Sequence, residues 1–125
     1  MARSGNPLPA KGRRWPNRKE YLGTDESDKE AIAHLHFPGL APETVQWLVE
    51  NRLIRAIGID TASIDQGQSK QFGGHVKLFE HDVPALENMA DLEGLPEEGF
   101  TVIALPMKIA GGTSAPARNI AAVPT

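Results

Sequence analysis

The chain has 125 residues, 40% of them hydrophobic and 23% charged, with a net charge of −3 and no cysteine. That length fits one domain or part of one. The absence of cysteine excludes a disulfide framework, a Cys-type zinc finger, an iron–sulfur site and a cysteine nucleophile. No apolar run approaches the roughly 18 residues of a membrane span, and the acidic balance speaks against general nucleic-acid binding. Four histidines and sixteen acids are the strong metal ligands that remain.

The charge is unevenly spread. Residues 1–20 hold Arg3, Lys11, Arg13, Arg14, Arg18 and Lys19 against Glu20 alone, and the remainder is acidic. A basic start can mark a transit peptide, but the prolines and glycines of GNPLPAKG, residues 5–12, break an amphipathic helix. No apolar h-region follows Met1. Residues 1–12 therefore read as a basic irregular tail and the protein as cytoplasmic, with residues 13–125 as domain.

Folding is expected to begin near His34. Pro42 to Arg52 is a predicted helix: Pro42 suits the first helical position, Glu43 the positive dipole end, and Val45, Leu48 and Val49 form one apolar stripe. Trp47 lies off its centre and Ala41 is a poor cap. Ile54 to Asp60 reads as a buried strand, followed by a long loop over residues 61–74. Long loops at strand C-terminal ends are where α/β proteins place ligands. His75 to Glu80 is a short helix, Val83 to Asn88 a strand, and Leu92 to Pro96 a turn or short helix. Phe100 to Leu105 is the clearest strand, with Met107 to Ile109 as an extension beyond Pro106. Gly111 to Pro116 is a flexible turn and Arg118 to Val123 a last strand. The fold class is α/β, with two or three helices. Strands of this apolar type need cover on both faces, more than two short helices supply. Either a partner or a further part of the domain is expected.

Several clusters could carry chemistry. His34 and His36 would share a face in a strand and could bind one metal, or form a surface pair. His75 and Glu87, twelve residues apart, suit zinc or manganese. An acid in the apolar VPALEN stretch must be paired or bound to a cation, so a salt bridge is the alternative. Asp60, Thr61, Ser63 and Asp65 at a strand end could bind substrate or simply bond the backbone of a turn. Gly111 to Ser114 could form an amide nest, but without a P-loop lysine. No G-x-S-x-G elbow is present.

These tracts occur in one order: HLHFPGLAPETVQWLVENR, AIGIDTASIDQGQSK, His75 with Glu87, LENMADLEGLP and VIALPMKIAGGTSAPAR. In that order and spacing the sequence resembles the C-terminal half of the cyclase family of metal-dependent hydrolases, which includes kynurenine formamidase and isatin hydrolase. The tract RRWPNRKEYLG at 13–23 also resembles isatin-hydrolase-like members. The resemblance implies a partial swivelling β/β/α-type domain with a mixed sheet or barrel-like core. It implies amide hydrolysis on zinc or manganese, with N-formylkynurenine or a related cyclic or aryl amide as substrate and oligomeric assembly. His75 and Glu87 match two family metal ligands; His34 and His36 fall in a structural or pocket-lining tract. The family's first metal motif, H-x-G-T-H-x-D-x-P-x-H, with its acid/base histidine, is missing. Catalytic and substrate-binding residues are thus left unassigned, and His81 reads as a surface residue. The competing expectations are a non-catalytic lobe that docks on an intact paralogue, and a fragment with no separate function.

Overall fold

The computed structural model describes residues 36–124. The basic tail, the 13–23 tract and His34 lie outside the described residues. Two compact units divide at Ala90 and Asp91.

In the first unit, α1 spans Pro42–Asn51. Pro42 opens the helix and Glu43 lies in its first turn, while Ala41 offers no side-chain cap. Leu53, at φ 48°, takes the left-handed conformation that ends it. Val45 is fully buried, Val49 packs on the core, and Trp47 stays exposed under the Arg52 guanidinium. This is the face arrangement predicted from the stripe.

β1 is Ile57–Gly58 and β2 is Ala85–Leu86, and they pair in parallel, Ile57 with Ala85 and Gly58 with Leu86. Between them α2 runs over Gly73–Phe79. A parallel pair requires such a crossover, and the helix supplies it. Both strands are much shorter than the predicted Ile54–Asp60 and Val83–Asn88. Each pairs only with the other among the described residues. Asn88 turns into the left-handed region at φ 54° and closes β2. Backbone bonds continue past the ladder, from Asn88 N–H to the Thr61 carbonyl (2.9 Å) and from Met89 N–H to Ile59 (3.0 Å). The core joins Val45 of α1, Ile64 of the loop, Leu78 of α2 and Val83, with Leu40, Ile54, Ile57 and Ile59 packed against it. Burying each such side chain contributes roughly 1.5–3 kcal/mol.

The second unit begins with a 3-10 turn at Leu92–Gly94, as the sequence suggests for 92–96. β3, Thr101–Pro106, and β4, Ala117–Ala122, form an antiparallel ribbon with Ile103 opposite Ile120. The strand ends at Pro106, so the predicted extension to Ile109 is not made. Both strands were expected to be of buried type. All of β3 is exposed, and Ile103, Leu105 and Ile120 share one open face. Among the described residues there are two helices and two separate two-stranded ladders, with neither a closed barrel nor one continuous mixed sheet.

Candidate metal and hydrolase site

The site lies where β1 and β2 end. His75 stands in the first turn of α2, and Glu87 follows β2 directly. The crossover brings these two residues together, with His75 Nε2 3.1 Å from Glu87 Oε1. The same carboxylate oxygen accepts the Ile64 N–H at 2.9 Å. Glu87 was expected to be a buried acid in a strand. It is half-buried, just beyond β2, because the left-handed turn at Asn88 closes the strand there.

The other face of the imidazole meets Asp65. His75 Nδ1 lies 2.6 Å from Asp65 Oδ2, the same oxygen accepts the His75 backbone N–H at 3.2 Å, and Oδ1 accepts the Gly74 N–H at 2.7 Å. Asp65 is only 3% exposed. In the sequence it was one of four polar residues after a strand, with substrate binding or a turn as its roles. The turn reading holds for its neighbours: the Thr61 hydroxyl donates to the Ser63 carbonyl (2.8 Å), and Ser63 Oγ accepts the Asp65 N–H (3.2 Å). The bond from Asp65 to the ring was missed. Its only sequence signal is an acid in the loop before the helix that bears His75, because the contact spans ten residues of irregular chain.

Phe72 and Phe79 meet the His75 ring edge-on, with centroids 6.2 and 5.4 Å away. Phe72 holds the left-handed conformation at φ 48°, which costs a side-chain-bearing residue about 1–2 kcal/mol. The side chains of His75 and Glu87 remain 22% and 27% accessible, so a further ligand can approach them.

A carboxylate oxygen stands on either side of one imidazole. A divalent cation would be held by Nε2 and Glu87, with the Nδ1 proton then given to Asp65. That is the usual second contact of a metal-ligating histidine. The donor set thus fits zinc or manganese. It is also incomplete: no group of three or more His, Cys, Asp or Glu able to hold a metal occurs among the described residues. His36 is exposed and outside any strand, so the same-face argument for a His34–His36 pair does not apply to it. His81 is exposed beyond α2 and its Nδ1 donates to the Lys77 carbonyl at 3.0 Å, in keeping with a surface role.

The class of fold is set by its likeness to a solved cyclase-type structure. A crystal structure of an isatin hydrolase bound to the product analogue thioisatinate superposes with a TM-score of 0.68 at 31% identity, covering 87% of this chain and 40% of that one. The Cyclase family model ("Putative cyclase") matches residues 10–66. Kynurenine formamidase from Bordetella pertussis is 37% identical over 84 residues, 67% of this chain and 39% of the relative. Isatin hydrolase from Roseibium aggregatum is 31% identical over 108 residues, 83% of this chain and 38% of the relative. Over these spans the chain is similar to the cyclase family and corresponds to the C-terminal part of these relatives. It spans about two fifths of their length. No helix among the described residues is long and apolar enough to cross a membrane.

Proposed function

We propose that this chain is the C-terminal lobe of a metal-dependent amide hydrolase that acts on N-formyl aryl amines such as N-formylkynurenine, or on isatin-like cyclic amides. The convergence of His75 Nε2 and Glu87 Oε1 carries the reading. The names of the relatives support the substrate class. His75 and Glu87 contribute two ligands to one zinc or manganese ion. The remaining ligands come from polypeptide outside residues 36–124, since the motif H-x-G-T-H-x-D is absent from the sequence.

A divalent ion at this position supplies Lewis-acid polarisation of an amide carbonyl. The chain's own residues prepare that position. Glu87 is steadied by the Ile64 N–H, and the imidazole is set by Asp65 and α2. Phe72 and Phe79 pack against the imidazole in T-shaped contacts. Departure of the amine needs a proton carrier. The family's acid/base histidine belongs to the absent motif, so that step falls to the completing segment.

A second reading, the assembly lobe, draws on the β3–β4 ribbon. A two-stranded ribbon is marginal alone, and this one exposes Val102 on one face and Ile103, Leu105 and Ile120 on the other. Its occupant in this account is the part of a cyclase-type domain that the chain lacks, in the same polypeptide or in a paralogue. Both readings meet in one experiment. The chain is co-expressed with the missing segment of an isatin-hydrolase-type domain, given zinc or manganese, and assayed on an N-formyl aryl amine and on isatin. Hydrolysis is expected only from the metal-loaded pair, with loss of at least a hundredfold in His75→Ala or Glu87→Ala. Unchanged turnover by either variant contradicts the catalytic reading. A stable but inactive pair leaves the assembly lobe.

A further inference from the structure

Asp65 bears on how His75 is presented. The residue before α2, Phe72, gives no side-chain cap, so the first N–H groups of the helix need acceptors from elsewhere. Asp65 provides them from the preceding loop, taking the Gly74 and His75 N–H groups. Capping alone requires nothing more. Yet the shortest of its three contacts, 2.6 Å, is to the ring nitrogen Nδ1.

Two glycines make room for this placement. A Cβ on Gly74 would stand 3.0 Å from Asp65 Oδ1. A Cβ on Gly39 would collide with the backbone of Asp65 and Gln66. The FPG tract is tied to that loop by two backbone bonds, Leu40 N–H to the Ile64 carbonyl (2.7 Å) and Gly67 N–H to the Phe37 carbonyl (3.1 Å). Val45 and Leu78 bury Ile64 next to it. The carboxylate is fixed on every side.

We infer that Asp65 is the positioning residue of the site: through its Nδ1 contact it fixes the His75 ring so that Nε2, beside Glu87, is the nitrogen offered to a ligand. This rests on the metal reading above for its purpose, but not for its geometry. Both carboxylate oxygens are needed. Oδ1 serves Gly74 and Oδ2 serves both donors of His75. Asn has a single acceptor oxygen, and its amide would turn a donor toward Nδ1. The ring would then carry its proton on Nε2 and offer no lone pair beside Glu87.

The test uses the 15N-labelled full chain, with long-range 1H–15N correlation of the His75 ring, first metal-free and then titrated with zinc. In wild type a slowly exchanging proton on Nδ1 is expected, retained when zinc shifts Nε2. In Asp65→Asn the Nδ1 proton is expected to disappear and zinc affinity to fall about 10–100-fold, the usual cost of removing such a partner. Asp65→Glu, which keeps two acceptors, should restore the Nδ1 proton in part. A wild-type ring with no proton on Nδ1 overturns the inference, whether or not any variant folds. So does a folded Asp65→Asn chain that keeps the Nδ1 proton and its zinc affinity. An Nδ1 proton in wild type without measurable zinc binding upholds the positioning and refutes the metal reading.

Discussion

His75 is held from three directions, two of them by carboxylates from outside its own helix. Asp65 takes Nδ1, Glu87 faces Nε2, and the edges of Phe72 and Phe79 flank the ring. Pairing His75 with Glu87 was legible because both fall in a tract shared with a known family. Asp65 was legible only as a polar loop residue, because no periodicity relates a loop carboxylate to a helix ten residues on. Gly39 is the residue that gives the HFPG tract a physical reason. Its missing side chain lets the Asp65 loop pass against it. Gly39→Ala is expected to destabilise the chain by about 1–3 kcal/mol, as overpacking does. Thermal unfolding would show this, and the Nδ1 proton of His75 should exchange faster in the same variant. An unchanged midpoint would mean that the loop has room to move.

At the level of elements, α1, α2 and the ribbon follow the predicted spans closely, whereas β1 and β2 do not. Local chemistry sets the first group: Pro42 and the Val45–Val49 stripe for α1, and β-branched residues on two strands close in sequence for the ribbon. A strand of a parallel pair is bounded by its partners rather than by its own propensity. Ile54 to Asp60 has only β2 beside it among the described residues, so its ladder stops after two residues. Pro84 and the left-handed Asn88 bracket β2 in the same way. The helix that carries His75 is anchored by Leu78, fully buried between Val45, Ile64 and Val83. Leu78→Ala is expected to cost about 2–5 kcal/mol. It should also weaken zinc binding, since α2 would no longer hold the imidazole against Glu87. Denaturant unfolding alongside a zinc titration checks both. Loss of stability with full zinc affinity would show that the site does not depend on the seating of α2.

For the whole molecule, the need for cover was visible in the sequence as apolar strands with too few helices. The structure locates that need on the β3–β4 ribbon. What covers it was not legible, because a sequence names an apolar face but not its counterpart. The chain spans about two fifths of its relatives' length, and His75 with Glu87, the proposed ligands, are too few for a catalytic ion. In the proposed function a further segment of a cyclase-type domain answers both needs. Replacing the facing pair Ile103 and Ile120 by lysine should abolish co-purification with that segment while leaving the His75 ring signals of the first unit unchanged. Retained co-purification would place the docking surface elsewhere.

The pair His75–Glu87 as ligands of one divalent ion is the claim on which the rest depends. Zinc titration of the full chain by calorimetry tests it directly, with wild type compared against His75→Ala, Glu87→Ala and the control His81→Ala. One zinc per chain is predicted, weakened at least tenfold by either site variant and unaffected by the control. Equal binding by wild type and both site variants, or binding lost only with His81, would contradict the account.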